Sequence, residues 1–358
     1  MQIESIRLRN FRNFEAIDID CGPGFNLLLG GNARGKTSIL EAVCILSTGE
    51  SHKTATLKEV IRLGRKAATI KSSVYNGERN IIIELVISTG VNKALRVNGV
   101  AYNRKRKGTL IPTVVFSPDH LLLIKGPPDI RRSFIDRILV QTNPKYAYYR
   151  ALYIKTMRER NAALQGMSLG NMDASLIDIY DEQLIAAGVE LVKLRASAIQ
   201  KISDIAKTAY EEITRGEMCA RYVSQLHPHP AEEIVDVFKR KLREKRGAEL
   251  ARGITLVGPH RDDIYVTLDG RDARGYASQG EQRTACLALK FAEISALEES
   301  FHVKPILLLD DVMSELDESR RRALMQKALR SGQVFITSTN RDYFTAEELD
   351  SAKEIHLG

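Results

Sequence analysis

Long apolar runs are missing from the sequence of 358 residues, and none approaches the roughly 20 residues that a membrane-spanning helix needs. No extended apolar stretch is found in the first residues either, MQIESIRLRNFRNF, so we expect no signal peptide and a cytoplasmic protein. The content of 44% hydrophobic and 27% charged residues is ordinary for a globular chain with a sizeable core. The length predicts about two domains.

Cysteine and aromatic residues are also scarce. The four cysteines form no C-x-x-C pair, which favours free thiols in a reducing compartment. Tryptophan is absent and aromatic residues make up only 6% of the chain. Proteins that bind single-stranded nucleic acid often use aromatic stacking platforms, so this composition favours duplex over single strands. The net charge of +8 is compatible with a nucleic-acid partner but supports one only weakly.

What the sequence does contain is the phosphate-binding pattern G-x-x-x-x-G-K-[ST] at residues 30–37. It follows the apolar run FNLLL and precedes residues with helical apolar spacing, so the predicted order is strand, glycine loop, helix. Glycines let backbone N–H groups converge on an anion, and the helix N-terminus adds partial positive charge. The predicted phosphate-binding residues are Gly30, Gly31, Asn32, Ala33, Arg34, Gly35, Lys36, Thr37 and Ser38.

A second half of the site is predicted at residues 305–311, PILLLDD, an apolar strand that ends in two acids. In P-loop ATPases this is where the carboxylate that serves Mg²⁺ stands. We therefore expect Lys36 to reach the outer phosphates of ATP and Thr37 to ligate Mg²⁺. Asp310 would hold the metal through water, and Asp311 would act as the base or orient the attacking water.

A third segment, Ser278, Gln279 and Gly280, begins another predicted helix with a serine cap. It forms a second anion-binding helix end, which one ATP seldom needs from the same chain. A two-fold homodimer, in which each ATP is closed by the partner's Ser278 turn, is the natural arrangement.

The secondary-structure pattern changes along the chain. Residues 1–20 predict two strands, and Asn-Gly pairs within residues 66–116 predict antiparallel hairpins. Between Asp173 and Arg215 the apolar residues recur every three or four positions, which predicts one helix of roughly 40 residues, about 60 Å long. It would pack against helices of residues 128–165 as a projecting arm; a coiled coil is the alternative.

Several charged or polar segments allow two interpretations. Arg12, in the turn NFRNF, faces either a phosphate or solvent. The basic run at residues 104–107 is either a solvated loop or a contact for DNA phosphates, and the cations of the helix predicted at 231–247 are most simply a solvated face. The segment HPHP at 227–230 suggests a metal site, but its prolines favour a turn.

Together these segments resemble the ABC-type ATPases of the SMC class. With NFRNF, SHKT at 51–54, the stretch at 116–136, GPHRDD at 258–263 and DDVMSELD at 310–317, the resemblance becomes one to the RecF family of bacterial recombination and repair proteins. It implies an α/β fold: an ABC-type ATPase head with a mixed sheet and an antiparallel lobe, formed by residues 1–125 and 250–358. An inserted, mostly helical arm would comprise residues 126–249.

The resemblance also implies a function. RecF-like proteins bind ATP and Mg²⁺, form an ATP-dependent homodimer on DNA, either duplex or a single-strand/duplex junction, and act with RecO and RecR to load RecA at gaps after DNA damage. Carried over by position, Ser278, Gln279 and Gly280 would contact the γ-phosphate across the dimer, and Arg12 would lie near phosphate. The resemblance places the protein in DNA replication, repair and the SOS response.

The sequence departs from the wider ABC pattern at three points. Asp311 stands where a glutamate is usual, no histidine is found in FITSTN at 335–340, and no glutamine clearly follows Phe116. Each departure weakens water activation or γ-phosphate sensing, which favours a slow switch over a fast motor. The resemblance implies a weak ATPase that DNA stimulates. An SMC-like tethering protein, a transporter ATP subunit and a phosphotransferase are the alternatives, of which the last has the least support.

Overall fold

The computed structural model describes residues 1–54, 56–90, 94–103, 108–168, 175–226 and 233–357. Their contacts divide the chain into two units, the first formed by Met1–Leu122 and Cys286–Gly358 and the second by Leu123–Ala285. By these contacts residues 250–285, predicted from the sequence as part of the head, group with the second unit. The physical reason is a strand of this segment that pairs with a strand following the long helix.

The first unit contains a six-stranded antiparallel sheet in the order β2-β1-β4-β5-β6-β7. Its strands are β1 (Gln2–Phe11), β2 (Phe14–Asp20), β4 (Ala67–Tyr75), β5 (Asn80–Ser88), β6 (Ala94–Val97) and β7 (Val100–Ala101). Asn98 and Gly99 both have positive φ, 49° and 80°, as a two-residue hairpin turn requires. The predicted hairpins are confirmed, and burial alternates along β4 because one face of the sheet packs on the core.

A five-stranded parallel sheet forms the other layer of this unit, in the order β14-β3-β13-β12-β8. Its strands are β3 (Phe25–Leu29), β8 (Thr113–Phe116), β12 (Ile306–Asp310), β13 (Val334–Ser338) and β14 (Lys353–His356). Every residue of β3, β12 and β13 is buried, which explains their continuous apolar sequence. The carboxyl ends of these strands meet at one edge of the sheet, where α/β proteins bind ligands.

The helices of the first unit are α1 (Lys36–Thr48), α8 (Glu318–Arg330) and α9 (Ala346–Ser351). The unit boundary falls within α7 (Gln279–Phe301). Buried side chains of α1, such as Val43, share one hydrophobic core with Ile70 of the antiparallel sheet and Leu308 of the parallel sheet. The predicted α/β class, with parallel and antiparallel sheets, is therefore confirmed.

The second unit consists mainly of helices. They are α2 (Pro128–Thr142), α3 (Pro144–Ser168), α4 (Ser175–Thr214), α5 (Ile234–Arg252) and the short α6 (Ala273–Tyr276). A small antiparallel sheet joins β9 (Met218–Val223), β10 (Asp263–Leu268) and β11 (Arg271–Asp272). The single 40-residue helix predicted from apolar periodicity is confirmed as α4, and it packs against α3 as expected.

Buried arginines connect the helices of the second unit. Arg160 of α3 is fully buried, and its guanidinium pairs with Asp181 on α4 and Glu249 on α5, each at 2.6 Å. Arg195 of α4 pairs with Asp136 of α2 at 2.7 Å. An arginine in such a position is stable only when its donors are matched, so these pairs fix how the helices pack.

No helix in the described part of the chain combines the length and apolarity needed to cross a membrane. The basic run at 104–107 and the HPHP segment at 227–230 lie outside the described residues.

Candidate nucleotide site

The predicted phosphate loop connects the buried strand β3 to helix α1. Gly35 precedes the first helical residue with φ 94°, a left-handed conformation that favours glycine. A Cβ at this position would also collide with the ring of Phe14, the first residue of β2. The sequence therefore requires glycine here for both backbone and packing, and the loop N–H groups at the start of α1 form an anion site.

The loop lines a cavity of about 770 Å³ whose walls come from the first unit. The lining residues are Arg12, Asn13, Asn32, Ala33, Arg34, Gly35, Lys36, Thr37, Ser38, Lys53, Glu59, Ile61, Leu63, Asp311 and Thr337. Most of the predicted phosphate-binding residues are thus brought together. Gly30 and Gly31 contribute differently, because their carbonyl oxygens accept hydrogen bonds from Lys36 Nζ at 2.6 and 2.9 Å.

Strand β12 ends at Asp310, which is 4% exposed and lies directly beside the start of α1. Its Oδ1 accepts hydrogen bonds from Thr37 Oγ1 at 2.6 Å and from Thr337 Oγ1 at 3.1 Å. Burial raises the pKa of Asp310, but the neighbouring Thr37, His52 and Lys53 outweigh it and hold the pKa below the ordinary value. An ionised carboxylate beside a hydroxyl is a ligand set that suits Mg²⁺, so the residues fit the predicted metal.

Asp311 follows in a left-handed conformation, φ 51°, and lines the cavity. Its backbone N–H donates to Thr337 Oγ1 at 2.9 Å, which holds this conformation. Burial and the negative charge of Asp310 raise the pKa of Asp311. A carboxylate with a raised pKa is a stronger proton acceptor, as a general base needs to be.

Two cationic side chains, His52 and Lys53, lie beside Asp310, a position that was not predicted from the sequence. Lys53 Nζ lies 3.6 Å and His52 Nε2 3.9 Å from Asp310 Oδ2. The His52 ring is almost fully buried and neither nitrogen has a hydrogen-bond partner among the described residues. Burial lowers the pKa of His52, but the interactions with Asp310 and Cys44 raise it to about 9. Only the SHKT segment as a family motif could have indicated these residues.

Arg12 lines the cavity, but its guanidinium is already engaged. Its Nε and Nη2 donate to the buried carboxylate of Glu41 on α1 at 2.8 and 2.6 Å, and Nη1 donates to the Glu59 carbonyl at 3.0 Å. The hydrogen bonds to Glu41 raise the pKa of Arg12. Arg12 therefore connects the turn after β1 to α1 and to the short helical turn Leu57–Val60, a role that neither sequence interpretation predicted.

Ser278, Gln279 and Gly280 lie at the start of α7, in the second unit. The Ser278 N–H and hydroxyl both donate to Glu281 Oε2 at 2.7 Å, and Ser278 Oγ accepts from the Glu281 N–H at 3.3 Å. This reciprocal pattern is a capping box. The predicted serine cap is confirmed, and Ser278 presents its hydroxyl at an exposed helix N-terminus.

Comparison with known proteins gives consistent matches along the chain. The family model described as the RecF/RecN/SMC N terminal domain matches residues 2–355. The DNA replication and repair protein RecF of Symbiobacterium thermophilum is 38% identical over 355 residues, covering 97% of this chain and 94% of that protein. These matches leave only the chain ends unaligned.

Solved structures agree with the sequence matches. The structure of the recombination mediator protein RecF-ATPrS in the RecFOR pathway superposes with a TM-score of 0.89 at 31% identity, covering 99% of this chain and 95% of that one. The corresponding RecF-ATP structure gives a TM-score of 0.86 at 31% identity, with 96% and 93% covered. Both similarities extend over the two units described above.

Proposed function

Because this chain belongs to the RecF family of the RecF/RecN/SMC N-terminal domain proteins, we propose that it is an ATP-binding protein of DNA replication and repair. The observation that carries the proposal is the contact between Thr37 and Asp310, 2.6 Å long, beneath a cavity lined by the phosphate loop. It joins the two halves of an ATPase site that are 273 residues apart in the sequence. Relatives solved as RecF-ATP support ATP as the ligand.

Different residues of the site would bind the phosphates, hold the metal and activate the attacking water. The loop N–H groups and Lys36 bind the phosphates, for which Lys36 Nζ exchanges its bonds to the Gly30 and Gly31 carbonyls. Thr37 and Asp310 would hold Mg²⁺, which would neutralise part of the phosphate charge. Asp311 orients the attacking water and accepts its proton. With an aspartate in this role we expect slow, DNA-stimulated turnover, suited to a switch.

The second part of the proposal is a homodimer that forms on ATP. Ser278, Gln279 and Gly280 form an exposed helix N-terminus that can face the γ-phosphate held by a partner molecule. ATP would then join two copies, and hydrolysis would release them. The cytoplasm is the compartment in which such a cycle would operate.

DNA is the third part, and its recognition should be mainly electrostatic. Helix α5 exposes Lys239, Arg240, Arg243 and Lys245, while Glu249, one of its few acids, is buried against Arg160. The exposed acids of this helix are Asp236 and Glu244, so its exposed surface keeps a net positive charge, which supports phosphate contacts to duplex DNA or a single-strand/duplex junction. We propose that the protein acts there with RecO and RecR to load RecA at gaps.

The experiment that tests this function is light scattering on the full chain with and without Mg-ATP. The expected result is a doubling of mass on ATP for the wild type and for Lys58→Ala, an exposed lysine outside the cavity, but not for Lys36→Ala. A mass that stays monomeric at high protein concentration and saturating ATP would refute the dimer. Failure to bind ATP at all would refute the assignment of the site.

A further inference from the structure

Helix α1 contains a buried acid to which the proposed chemistry gives no role. Glu41 is 1% exposed and lies one helical turn after Thr37, on the same face of the helix. Its two carboxylate oxygens accept hydrogen bonds from the Arg12 guanidinium at 2.6 and 2.8 Å. A carboxylate buried this deeply is stable only when its charge and its hydrogen-bonding capacity are matched, so the groups around it show what it holds in place.

A second partner of Glu41 comes from the loop that follows α1. The Ser51 hydroxyl donates a hydrogen bond to Glu41 Oε1. The same Ser51 oxygen accepts hydrogen bonds from the backbone N–H groups of Lys53 at 2.9 Å and Thr54 at 3.1 Å. A hydroxyl that donates to a carboxylate becomes a better acceptor, so these three bonds strengthen one another. Glu41 thereby fixes the backbone of residues 51–54.

This backbone places the Lys53 side chain beside the carboxylate that would hold the metal. Lys53 Nζ lies 3.6 Å from Asp310 Oδ2. The other carboxylate oxygen, Oδ1, accepts hydrogen bonds from Thr37 and Thr337. Because Asp310 is shielded from water, a unit positive charge this close to it reduces its attraction for any other cation.

We propose that Glu41 is a positioning residue for the metal site and that it acts through Ser51. The segment that it fixes keeps the Lys53 ammonium at Asp310, where it competes with divalent metal. This inference rests on the proposed function, in which Thr37 and Asp310 are the metal ligands. A metal ion that arrives alone has to displace Lys53, whereas the phosphate oxygens of ATP supply further ligands that outweigh this competition. The arrangement therefore makes metal binding depend on the nucleotide.

The test measures Mn²⁺ binding to the full chain without nucleotide, by electron paramagnetic resonance, since Mn²⁺ takes the same oxygen ligands as Mg²⁺. We expect Lys53→Met to raise the Mn²⁺ affinity about tenfold, because the competing charge is removed while most of the side-chain length is kept. Lys58→Met, at an exposed lysine outside the cavity lining, should bind Mn²⁺ as the wild type does. Lys53→Met/Asp310→Asn should lose the gain.

Ser51→Ala tests the connection to Glu41 while leaving the ion pair of Glu41 with Arg12 intact. It should raise the Mn²⁺ affinity about threefold, as expected from the loss of one hydrogen bond that holds Lys53 in place. Ser51→Thr, which keeps the hydroxyl, should bind Mn²⁺ as the wild type does. In Ser51→Ala/Lys53→Met the affinity should equal that of Lys53→Met alone, because the hydroxyl acts only through the lysine.

Three results would overturn the inference. The first is an Mn²⁺ affinity in Lys53→Met that is unchanged or lower, or a gain that survives Asp310→Asn. The second is a lower affinity in Ser51→Ala, which a merely structural role of the hydroxyl predicts. The third is a double variant in which the two gains add in full. A wild-type protein that binds no ATP in the presence of Mg²⁺ would refute the proposed function itself, a result distinct from these three.

Discussion

The hydroxyl of Thr37, at the start of α1, donates a hydrogen bond of 2.6 Å to Asp310 Oδ1 at the end of β12. Two candidate metal ligands are therefore in place side by side. Asp310→Asn removes the negative charge while keeping the shape, so we expect the strengthening of ATP binding by Mg²⁺ to fall about 10-fold to 100-fold. Titration of ATP with and without Mg²⁺ measures this, and Asp317→Asn, which alters a helix cap outside the cavity, should leave it unchanged. Equal Mg²⁺ dependence in Asp310→Asn and the wild type would show that Asp310 does not serve the metal.

Asp311→Asn should slow ATP hydrolysis without weakening ATP binding. Loss of the proton acceptor is expected to lower the single-turnover rate of phosphate release about 10²-fold to 10⁴-fold while ATP affinity stays close to that of the wild type. The ATP dimer should persist longer in light scattering for the same reason. Glu315→Gln, a nearby carboxylate outside the cavity lining, is the control. A hydrolysis rate within a few-fold of the wild type would remove Asp311 from this role.

Ser278→Ala should have two effects that can be measured separately. The loss of the helix cap is expected to cost about 1 kcal/mol in the free energy of unfolding. If Ser278 also contacts the partner's nucleotide, the ATP dimer should be lost under conditions where the variant is fully folded. Glu281→Ala disturbs the same capping box without removing the hydroxyl and should therefore still dimerise. Dimerisation of Ser278→Ala at wild-type ATP concentrations would leave Ser278 with the capping role alone.

The double variant Lys239→Gln/Arg243→Gln tests the cationic face of α5. Each phosphate contact contributes about 0.9 to the slope of log affinity against log salt concentration, so the slope for duplex DNA should fall by about 2. Fluorescence anisotropy over a series of salt concentrations measures it. Arg79→Gln, an exposed arginine of the first unit, should keep the wild-type slope. A double variant with an unchanged slope would exclude this face from DNA contact.

His260 in the second unit should make folding stability depend on pH. Burial and nearby arginines lower its pKa to about 4, despite the hydrogen bond with Thr255. Its Nδ1 lies 2.7 Å from Tyr153 Oη, and its Nε2 lies 3.1 Å from the Thr255 carbonyl oxygen. The unfolded chain takes up this proton below about pH 6.5, so stability is full above that pH and is lost as pH falls towards 4. Between pH 6.5 and pH 5 we expect the free energy of unfolding to fall by on the order of 2 kcal/mol.

Urea denaturation at both pH values measures the effect of His260. In His260→Gln this component of the pH dependence should be absent, whereas His302→Gln, at an exposed histidine, should retain it. The same loss of stability in His260→Gln and the wild type would assign the pH dependence to other groups.

Local sequence patterns were sufficient for the elements that carry the site. The strand, loop and helix around Lys36 follow from an apolar run and a glycine pattern, and α4 follows from apolar spacing alone. Such features depend on residues that are neighbours in the chain. Asp310 could be predicted for the same reason, because a buried strand that ends in acids is visible in a few residues.

Relationships between distant residues could not be predicted in this way. The pairing of Arg12 with Glu41 spans 29 residues, and nothing in NFRNF indicates a buried carboxylate on a helix. From the sequence Arg160 would be expected at the surface, because charged residues are mostly exposed, yet its side chain is fully buried. The grouping of residues 250–285 with the second unit could not be predicted for a similar reason, because it depends on the pairing of β10 with β9.

The strand order of the parallel sheet has a consequence for how the chain folds during synthesis. Among the described strands, β3, which leads into the phosphate loop, pairs with β13 and β14 alone, and both lie beyond position 330. The second unit is contiguous, residues 123–285, and has its own core pairs, so it can fold as soon as it leaves the ribosome. The loop of Lys36 emerges first and acquires its sheet last. A chain truncated before β13 would thus contain the helical unit and an apolar strand β3 without its partners. We expect chaperones and proteases, and not ATP, to bind such a chain.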